Sequence, residues 1–339
     1  MKESNLYIIA ELSANHNNDF NLAVKTIEAM AKAGADAVKV QTYTADAMTI
    51  DVKDEDNPYF KPKESGLWKG YRLYDLYTEA SMPYEWQPKL QKITEDLGME
   101  FFSSPFDIKG VDFLETLNVP KYKIASFEIT DIPLIKHAAS KKKPMIISTG
   151  LAEIEDIELA VQACREVGND DITLLKCTSQ YPATVEDANL LTIPDLEQRF
   201  KVKVGVSDHT MGSIVPIVAV SLGAKVIEKH FILDRSLGGA DSAFSMEPEE
   251  FAEMVKAVRE AEKALGEVVY EVTEPNKLRR RSLFVVKDIK QGEIFTEEHI
   301  RSIRPGHGLA PKYYEIVLGQ KAMQDIKRGE PLKEEHFSS

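Results

Sequence analysis

Eight short runs of β-branched and aromatic residues alternate with longer amphipathic stretches between Leu6 and Leu265, and this alternation restricts the chain to few folds. The runs cover residues 6–13, 37–43, 100–106, 122–126, 144–149, 172–178, 203–209 and 225–231. Apolar residues recur at helical spacing in the stretches 21–33, 153–167 and 248–265. Repeated strand–helix units predict an α/β fold, a (β/α)8 TIM barrel. The alternative is a doubly wound sheet, but the glycine-rich phosphate turn that usually follows its first strand is missing from this sequence.

The segment from Thr44 to Met82 is too long to be a plain connection between a strand and a helix. It is acidic over residues 51–56 and rich in aromatic residues over 67–77. A surface excursion is one interpretation. We favour a lid or a subunit-contact loop over the barrel mouth, because loops of this length are often functional.

The pattern changes after Leu265, where a basic linker leads into an internal repeat. Asp288-Ile-Lys-Gln-Gly-Glu293 followed by Glu297-Glu-His299 recurs as Asp325-Ile-Lys-Arg-Gly-Glu330 followed by Glu334-Glu-His336. Each half predicts a strand, a glycine turn and a short capped helix. We therefore divide the chain into a catalytic barrel (1–268), a linker (269–281) and a small C-terminal domain (282–339).

Charge and composition exclude several classes of protein. Forty-two basic and 55 acidic residues give a net charge of -13, which argues against nonspecific binding to nucleic acid or anionic membranes. The basic run Arg279-Arg-Arg281 is therefore interpreted as a solvated linker or subunit contact. Two cysteines provide no disulfide framework, and apolar runs stay far below the ~18 residues of a spanning helix. We expect a soluble, cytoplasmic protein.

Catalytic residues of a (β/α)8 barrel lie at the carboxyl ends of its strands, and two groups stand out there. The first contains two lysines and four hydroxyls that suit a phosphate or carboxylate: Lys39, Lys123, Ser104, Ser126, Ser148 and Ser207. The alternative is that both lysines face outward.

The second group at the strand ends is a pair of histidines, His209 and His230, on the last two strands. Two imidazoles suit a divalent cation whose remaining ligands are water and substrate, with Asp208 and Glu228 as candidate orienting partners. The alternative is two structural histidines.

Nine segments that include these residues resemble the sialic acid synthase family. They are Ile9-Ala-Glu-Leu-Ser-Ala-Asn-His16, Lys39-Val-Gln41, Phe102-Ser-Ser-Pro-Phe-Asp107, Tyr122-Lys-Ile-Ala-Ser126, Ile147-Ser-Thr-Gly150, Lys176-Cys-Thr-Ser-Gln-Tyr-Pro182, Gly205-Val-Ser-Asp-His-Thr210, Glu228-Lys-His-Phe231 and Arg304-Pro-Gly-His-Gly308. The last resembles the family's antifreeze-like (SAF) C-terminal domain. The resemblance implies condensation of phosphoenolpyruvate with an N-acetylated amino-sugar, with a divalent metal (Mn²⁺ or Mg²⁺), in a domain-swapped homodimer.

The resemblance also implies a role for each candidate residue. The two lysines and four serines would hold phosphoenolpyruvate, and the two histidines would hold the metal. Glu11 or Glu128 would steer or deprotonate the attacking water, so that these carboxylates and the lysines form the catalytic set. The implied sugar contacts are Asn15, Gln41, Ser179, Tyr181, Asp241 and, from the partner subunit's small domain, Arg304.

Within the family, residues 125–133 and 234–245 look most like the branch that makes pseudaminic acid. Its sugar substrate is 2,4-diacetamido-2,4,6-trideoxy-β-L-altropyranose, which reacts as the open-chain aldehyde. Phe127 adds apolar bulk that suits a 6-deoxy sugar, whereas Ala240 replaces a proline expected in that branch. The alternatives are the same chemistry on the precursors of legionaminic or N-acetylneuraminic acid, and a noncatalytic carbohydrate-binding protein.

Overall fold

The computed structural model describes residues 5–54, 57–179 and 183–337. The chain forms two compact units, Met1–Gly266 and Glu267–Ser339. Within the described residues, no helix has both the length and the apolar character needed to cross a membrane.

The first unit is a closed barrel of eight parallel strands in sequential order, which confirms the predicted fold. The strands are β1 (Tyr7–Glu11), β2 (Ala37–Thr42), β3 (Glu100–Pro105), β4 (Tyr122–Ile124), β5 (Met145–Ser148), β6 (Ile172–Cys177), β7 (Lys203–Asp208) and β8 (Val226–His230). β8 pairs with β1 to close the barrel, with His230 opposite Glu11. Almost every strand residue is buried, as expected for a parallel sheet that is covered on its outer face.

Helices surround the strands. They are α1 (Phe20–Lys32), α2 (Ala45–Met48), α3 (Leu73–Ala80), α4 (Gln87–Asp96), α5 (Ile108–Thr116), α6 (Ile132–Ser140), α7 (Ile154–Glu166), α8 (Thr192–Phe200), α9 (Ile214–Ser221) and α10 (Pro248–Leu265). Local sequence fixes several starts: the Asp19 and Asp107 carboxylates accept backbone N–H bonds at the N-termini of α1 and α5. Arg259 of α10 donates to both carboxylate oxygens of Asp36 at 2.7 Å and so ties the last helix to the start of β2.

The second unit contains helix α11 (Glu274–Lys277), the antiparallel strands β9 (Ser282–Val285) and β10 (Ile300–Ile303), and helix α12 (Tyr314–Val317). Its internal repeat forms reciprocal ion pairs, Lys290–Asp325 at 2.6 Å and Lys327–Asp288 at 2.9 Å. The prediction of a short helix in each half was wrong for the first half. Residues 297–299 form only a turn, whereas Glu334–His336 form a 3₁₀ helix.

Candidate active site

A cavity of about 460 Å³ lies at the carboxyl ends of the barrel strands. Eleven of the candidate residues line it: Lys39, Gln41, Lys123, Ser126, Glu128, Ser148, Ser207, His209, Glu228, His230 and Asp241. Four of the other candidates within the described residues do not line the cavity: Glu11, Asn15, Ser104 and Ser179. Tyr181 lies outside the described residues, and Arg304 is an exposed residue of the second unit.

Both lysines point into the barrel, which excludes the alternative in which they face outward. Lys39 is 3% exposed and forms an ion pair with Glu11, and Lys123 is 1% exposed with its Nζ 3.3 Å from Glu228 Oε1. The other Glu228 oxygen lies 3.9 Å from Lys39 Nζ. Burial lowers the pKa of Lys39, but its two carboxylate neighbours more than offset this and hold the pKa above its usual value. The buried cations are thus compensated in the protein itself.

The predicted serines surround this charge network. Ser104 Oγ accepts from Lys39 Nζ at 3.2 Å, and Ser207 Oγ donates to Glu228 Oε1 at 3.0 Å. Ser126 Oγ accepts from Gly150 N–H at 3.1 Å, and a Cβ at Gly150 would approach that oxygen to 2.9 Å, so only glycine fits there. The Ser148 hydroxyl is buried without a hydrogen-bond partner among the described residues. A buried unpaired hydroxyl facing a cavity indicates a site for a ligand oxygen.

The two histidines meet at the same end of the cavity, with ring centroids 5.1 Å apart. The Thr178 carbonyl lies 2.9 Å from His209 Nδ1, which places a proton on Nδ1. Burial and the neighbouring His209 hold the pKa of His230 well below its usual value, so its ring is neutral at pH 7. His230 Nδ1 is buried and accepts no hydrogen bond from the described residues.

This pair fits a divalent cation, because neutral imidazole nitrogens are good ligands for such ions. The described residues contain no cluster of three or more His, Cys, Asp and Glu side chains able to hold a metal. A bound ion would therefore take its remaining ligands from water and substrate. Burial lowers the pKa of His209, but the Cys177 thiol 4.0 Å away raises it above its usual value, so a metal ion would compete with a proton there.

The two carboxylates suggested as orienting partners for the histidines, Asp208 and Glu228, both contact lysines. Asp208 accepts from Lys229 Nζ at 2.8 Å and from the Thr210 hydroxyl at 2.8 Å, all three being buried. Glu228 is occupied by the two lysines. The partners of Asp208 are therefore its register neighbour Lys229 on the adjacent strand β8 and the nearby Thr210.

The candidate sugar contacts fall into two sets. Gln41 Nε2 donates to Glu11 Oε1 at 3.2 Å and to Ser13 Oγ at 3.0 Å, and Ser13 Oγ in turn donates to Asp241. Gln41 and Asp241 thus form one connected polar edge of the cavity. Asn15 uses its amide to donate to the Phe231 carbonyl and to Ser245, which makes it a brace for the loop after β8.

The two candidate carboxylates differ in access. Glu11 does not line the cavity, and burial raises its pKa more than Lys39 lowers it. Glu128 faces the cavity with one unpaired buried oxygen. Burial raises its pKa to about 7, against the lowering effect of Lys123. Glu128 can therefore gain or lose a proton near neutral pH.

Residues 26–270 match the NeuB family, and residues 280–338 match the SAF domain. The chain belongs to the NeuB family. It is 48% identical to the pseudaminic acid synthase of Helicobacter pylori over 96% of each chain. It is 46% identical to the pseudaminic acid synthase of Campylobacter jejuni serotype O:23/36 over 99% of this chain and 97% of the relative. The N,N'-diacetyllegionaminic acid synthase of Legionella pneumophila is 38% identical over 98% and 95%.

A solved structure of the N-acetylneuraminic acid synthetase of Leptospira borgpetersenii in complex with citrate has a TM-score of 0.70 and 32% identity, covering 80% of this chain and 88% of that one. The spore coat polysaccharide biosynthesis protein SpsE of Bacillus subtilis has a TM-score of 0.66 and 33% identity, covering 100% and 96%. The family resemblance and the SAF domain are confirmed.

One wall of the cavity in this NeuB-family chain is formed by the 44–82 segment, and the sequence did not predict which of its residues would line the cavity. The 44–82 segment contributes Ala47, Met48, Lys63, Trp68, Leu73, Leu76, Tyr77 and Ala80. Tyr43 packs edge-on against Tyr77 and Phe106, with centroids 6.0 and 5.1 Å apart, and extends the apolar surface. The length and aromatic content of the segment were the only sequence signals. The segment therefore lines the cavity at the barrel mouth, and its role as a lid or a subunit-contact loop stays a prediction.

Proposed function

We propose that this protein is a pseudaminic acid synthase, which condenses phosphoenolpyruvate with 2,4-diacetamido-2,4,6-trideoxy-L-altrose and releases phosphate. The observation that carries the proposal is that a single cavity is lined by two buried lysines, a pair of histidines and the Ser148 hydroxyl, which has no hydrogen-bond partner among the described residues. Two relatives at 46–48% identity that bear this name support the choice of product, since the legionaminic acid synthase shares only 38%.

The lysine end of the cavity would bind phosphoenolpyruvate. Lys39 and Lys123 supply positive charge, and the hydroxyls of Ser126, Ser148 and Ser207 supply donors for phosphate and carboxylate oxygens. Ser104 would act through Lys39, whose ammonium it contacts at 3.2 Å. Glu11 and Glu228 form ion pairs with the two lysines and orient them.

The histidine end would hold the divalent metal, Mn²⁺ or Mg²⁺, through His209 and His230. A bound metal would supply Lewis-acid polarisation of the sugar aldehyde oxygen. Gln41 and Asp241 would bind sugar hydroxyl groups beside it, and their hydrogen bonds through Ser13 hold both side chains in place. Further sugar contacts would come from Ser179 and Tyr181, which follow β6 in the sequence.

The bond-forming step joins C3 of phosphoenolpyruvate to the aldehyde carbon of the sugar, which leaves positive character at C2. Water adds to C2, and the resulting tetrahedral centre loses phosphate by cleavage of the C–O bond. Glu128 would take the proton of that water, because it faces the cavity and its pKa of about 7 suits a base at neutral pH. Glu11 is shielded behind Lys39 and Gln41.

The pH dependence of kcat, measured with both substrates saturating, tests the assignment of Glu128. The carboxyl is protonated below its pKa of about 7, so kcat should rise through neutral pH, and at pH 6 should be about one tenth of its plateau. Glu128→Gln should remove this limb and lower the plateau about a hundredfold or more. Asp131 raises the pKa of Glu128 by its charge, so Asp131→Asn should move the limb to lower pH. A limb that persists in Glu128→Gln would show that Glu128 is not its source, and would contradict the assignment of the base to Glu128.

We expect the enzyme to be cytoplasmic and to form a domain-swapped homodimer. In this dimer a partner subunit would complete the active site. The segment that leads into the second unit exposes apolar side chains, with Val268 86% and Tyr270 93% exposed, and a partner would cover them. Residues 271–281 would span about 35 Å if fully extended, and α11 and the hydrogen-bonded turn that follows it shorten this reach. Arg304, exposed after β10, would donate to an acetamido carbonyl of the partner's sugar.

Phosphate release with a panel of three sugars tests the product assignment. The panel contains the diacetamido altrose compound, the corresponding precursor of legionaminic acid, and N-acetylmannosamine. We expect the altrose compound to have a kcat/KM at least about a hundredfold above the others, because polar groups of the site stay unpaired with the wrong sugar. An equal or higher value for either competitor would contradict the assignment, and binding of a sugar without phosphate release would favour a carbohydrate-binding protein.

A further inference from the structure

Within the 44–82 segment, residues 63–71 close on themselves and form a hydrogen-bonded loop. Lys63 N–H donates to the Tyr71 carbonyl and Gly70 N–H donates to the Lys63 carbonyl, both at 2.9 Å. Gly66 and Gly70 have φ values of 85° and 90°, in the left-handed region that favours glycine. This 63–71 loop has a defined shape and presents particular side chains to the cavity.

Only two side chains of the 63–71 loop are not exposed, and both line the cavity: Lys63 and Trp68. The Lys63 ammonium lies 5.1 Å from the centroid of the Trp68 ring, within the range of a cation–π contact. Trp68 Nε1–H donates to the Ala240 carbonyl at 3.0 Å, next to Asp241. The Trp68 indole therefore connects the 63–71 loop to the loop after β8 and positions the Lys63 ammonium.

Three lysines line the cavity, and their surroundings differ. Lys39 and Lys123 lie among buried carboxylates and serine hydroxyls. Lys63 belongs to a wall that is otherwise apolar or aromatic, formed by Met48, Leu73, Leu76 and Tyr77 among others. Such a wall offers one strong hydrogen-bond donor within an apolar surface.

An acetamido group has matching chemistry, with one carbonyl acceptor and one methyl group. We propose that Lys63 determines specificity for the sugar by donating a hydrogen bond to an acetamido carbonyl, while the apolar wall takes the methyl group. Trp68 is a positioning residue that acts through Lys63. This inference rests on the proposed function, whose sugar carries two acetamido groups. Phosphoenolpyruvate has no apolar group that the wall would match.

Steady-state kinetics of Lys63→Met, with each substrate varied in turn, tests the proposal. We expect the KM for the diacetamido sugar to rise about tenfold, because a hydrogen bond from a charged donor is lost. The KM for phosphoenolpyruvate should stay within about twofold of wild type, and Lys63→Arg should recover part of the sugar affinity. Lys69→Met is the matched control, since Lys69 is an exposed lysine of the same loop that does not line the cavity.

A double-variant cycle tests the positioning role of Trp68. Trp68→Phe keeps an aromatic ring beneath the ammonium but removes the Nε1–H donor to the Ala240 carbonyl. It should raise the KM for the sugar by less than Lys63→Met does, with the KM for phosphoenolpyruvate unchanged. In the Lys63→Met background it should add nothing further, because Trp68 then has no ammonium to position.

Two results would overturn the inference: an unchanged KM for the sugar in Lys63→Met, or a rise in the KM for phosphoenolpyruvate in its place. The second would assign the ammonium to the anionic substrate. Failure of the proposed function is distinct, because the wild-type protein would then release no phosphate from phosphoenolpyruvate and the diacetamido sugar. If the wild-type protein turns over and Lys63→Met has an unchanged KM for the sugar, only the inference about Lys63 is wrong.

Discussion

Replacing either His209 or His230 by alanine is expected to abolish metal-dependent turnover and leave the barrel folded. Both rings line the cavity, and His230 Nδ1 has no hydrogen-bond partner among the described residues, so its loss breaks little of the fold. With two protein ligands proposed, removal of one leaves a site too weak to retain the ion. The measurements are phosphate release after chelator treatment and metal return, and Mn²⁺ binding followed by electron paramagnetic resonance.

His137→Ala is the matched control for these variants. His137 lies on α6, where its Nε2 is 2.7 Å from Asp112, and it does not line the cavity. The control should bind Mn²⁺ and turn over as wild type. Full activity and unchanged Mn²⁺ affinity in His209→Ala or His230→Ala would remove that histidine from the metal site.

Mixing two inactive variants, Arg304→Ala and His209→Ala, is expected to restore activity when their subunits exchange. In a swapped heterodimer, one barrel has an intact His209 and receives the intact Arg304 of the partner. The other barrel carries both lesions. Each heterodimer should then have one working site of two, a rise from almost nothing to about half of normal activity.

The alternative for this experiment is a small domain that completes its own barrel. Every site of the heterodimer then keeps one lesion, and mixing restores nothing. Heterodimers are verified by two different affinity tags, and a mixture of His209→Ala with His230→Ala serves as the control, because both of its lesions lie in the barrel. If verified heterodimers of Arg304→Ala and His209→Ala stay inactive, the swapped arrangement is wrong.

The eight strands and three of the helices could be predicted closely from sequence. A strand that is buried on both faces has a short, continuous apolar sequence, so local composition is enough to locate it. The predicted helix 248–265 coincides with α10, where a capping box of Glu247 and Glu250 and the helix-starting Pro248 mark the first turn. The repeat around Asp288 and Asp325 likewise indicated the paired organisation of the second unit.

The partners of the site residues were decided only by the tertiary structure. Lys39 meets Glu228 because β2 and β8 both flank β1, although 189 positions separate the two residues in the chain. Asp208 turns to Lys229 on the outer side, while its neighbour His209 faces the cavity. Strand alternation sends adjacent residues to opposite faces, and barrel closure then chooses which distant side chain each one meets. Sequence therefore determined which chemical groups reach the barrel mouth, whereas closure of the barrel and the packing of the 44–82 segment determined which of them act together.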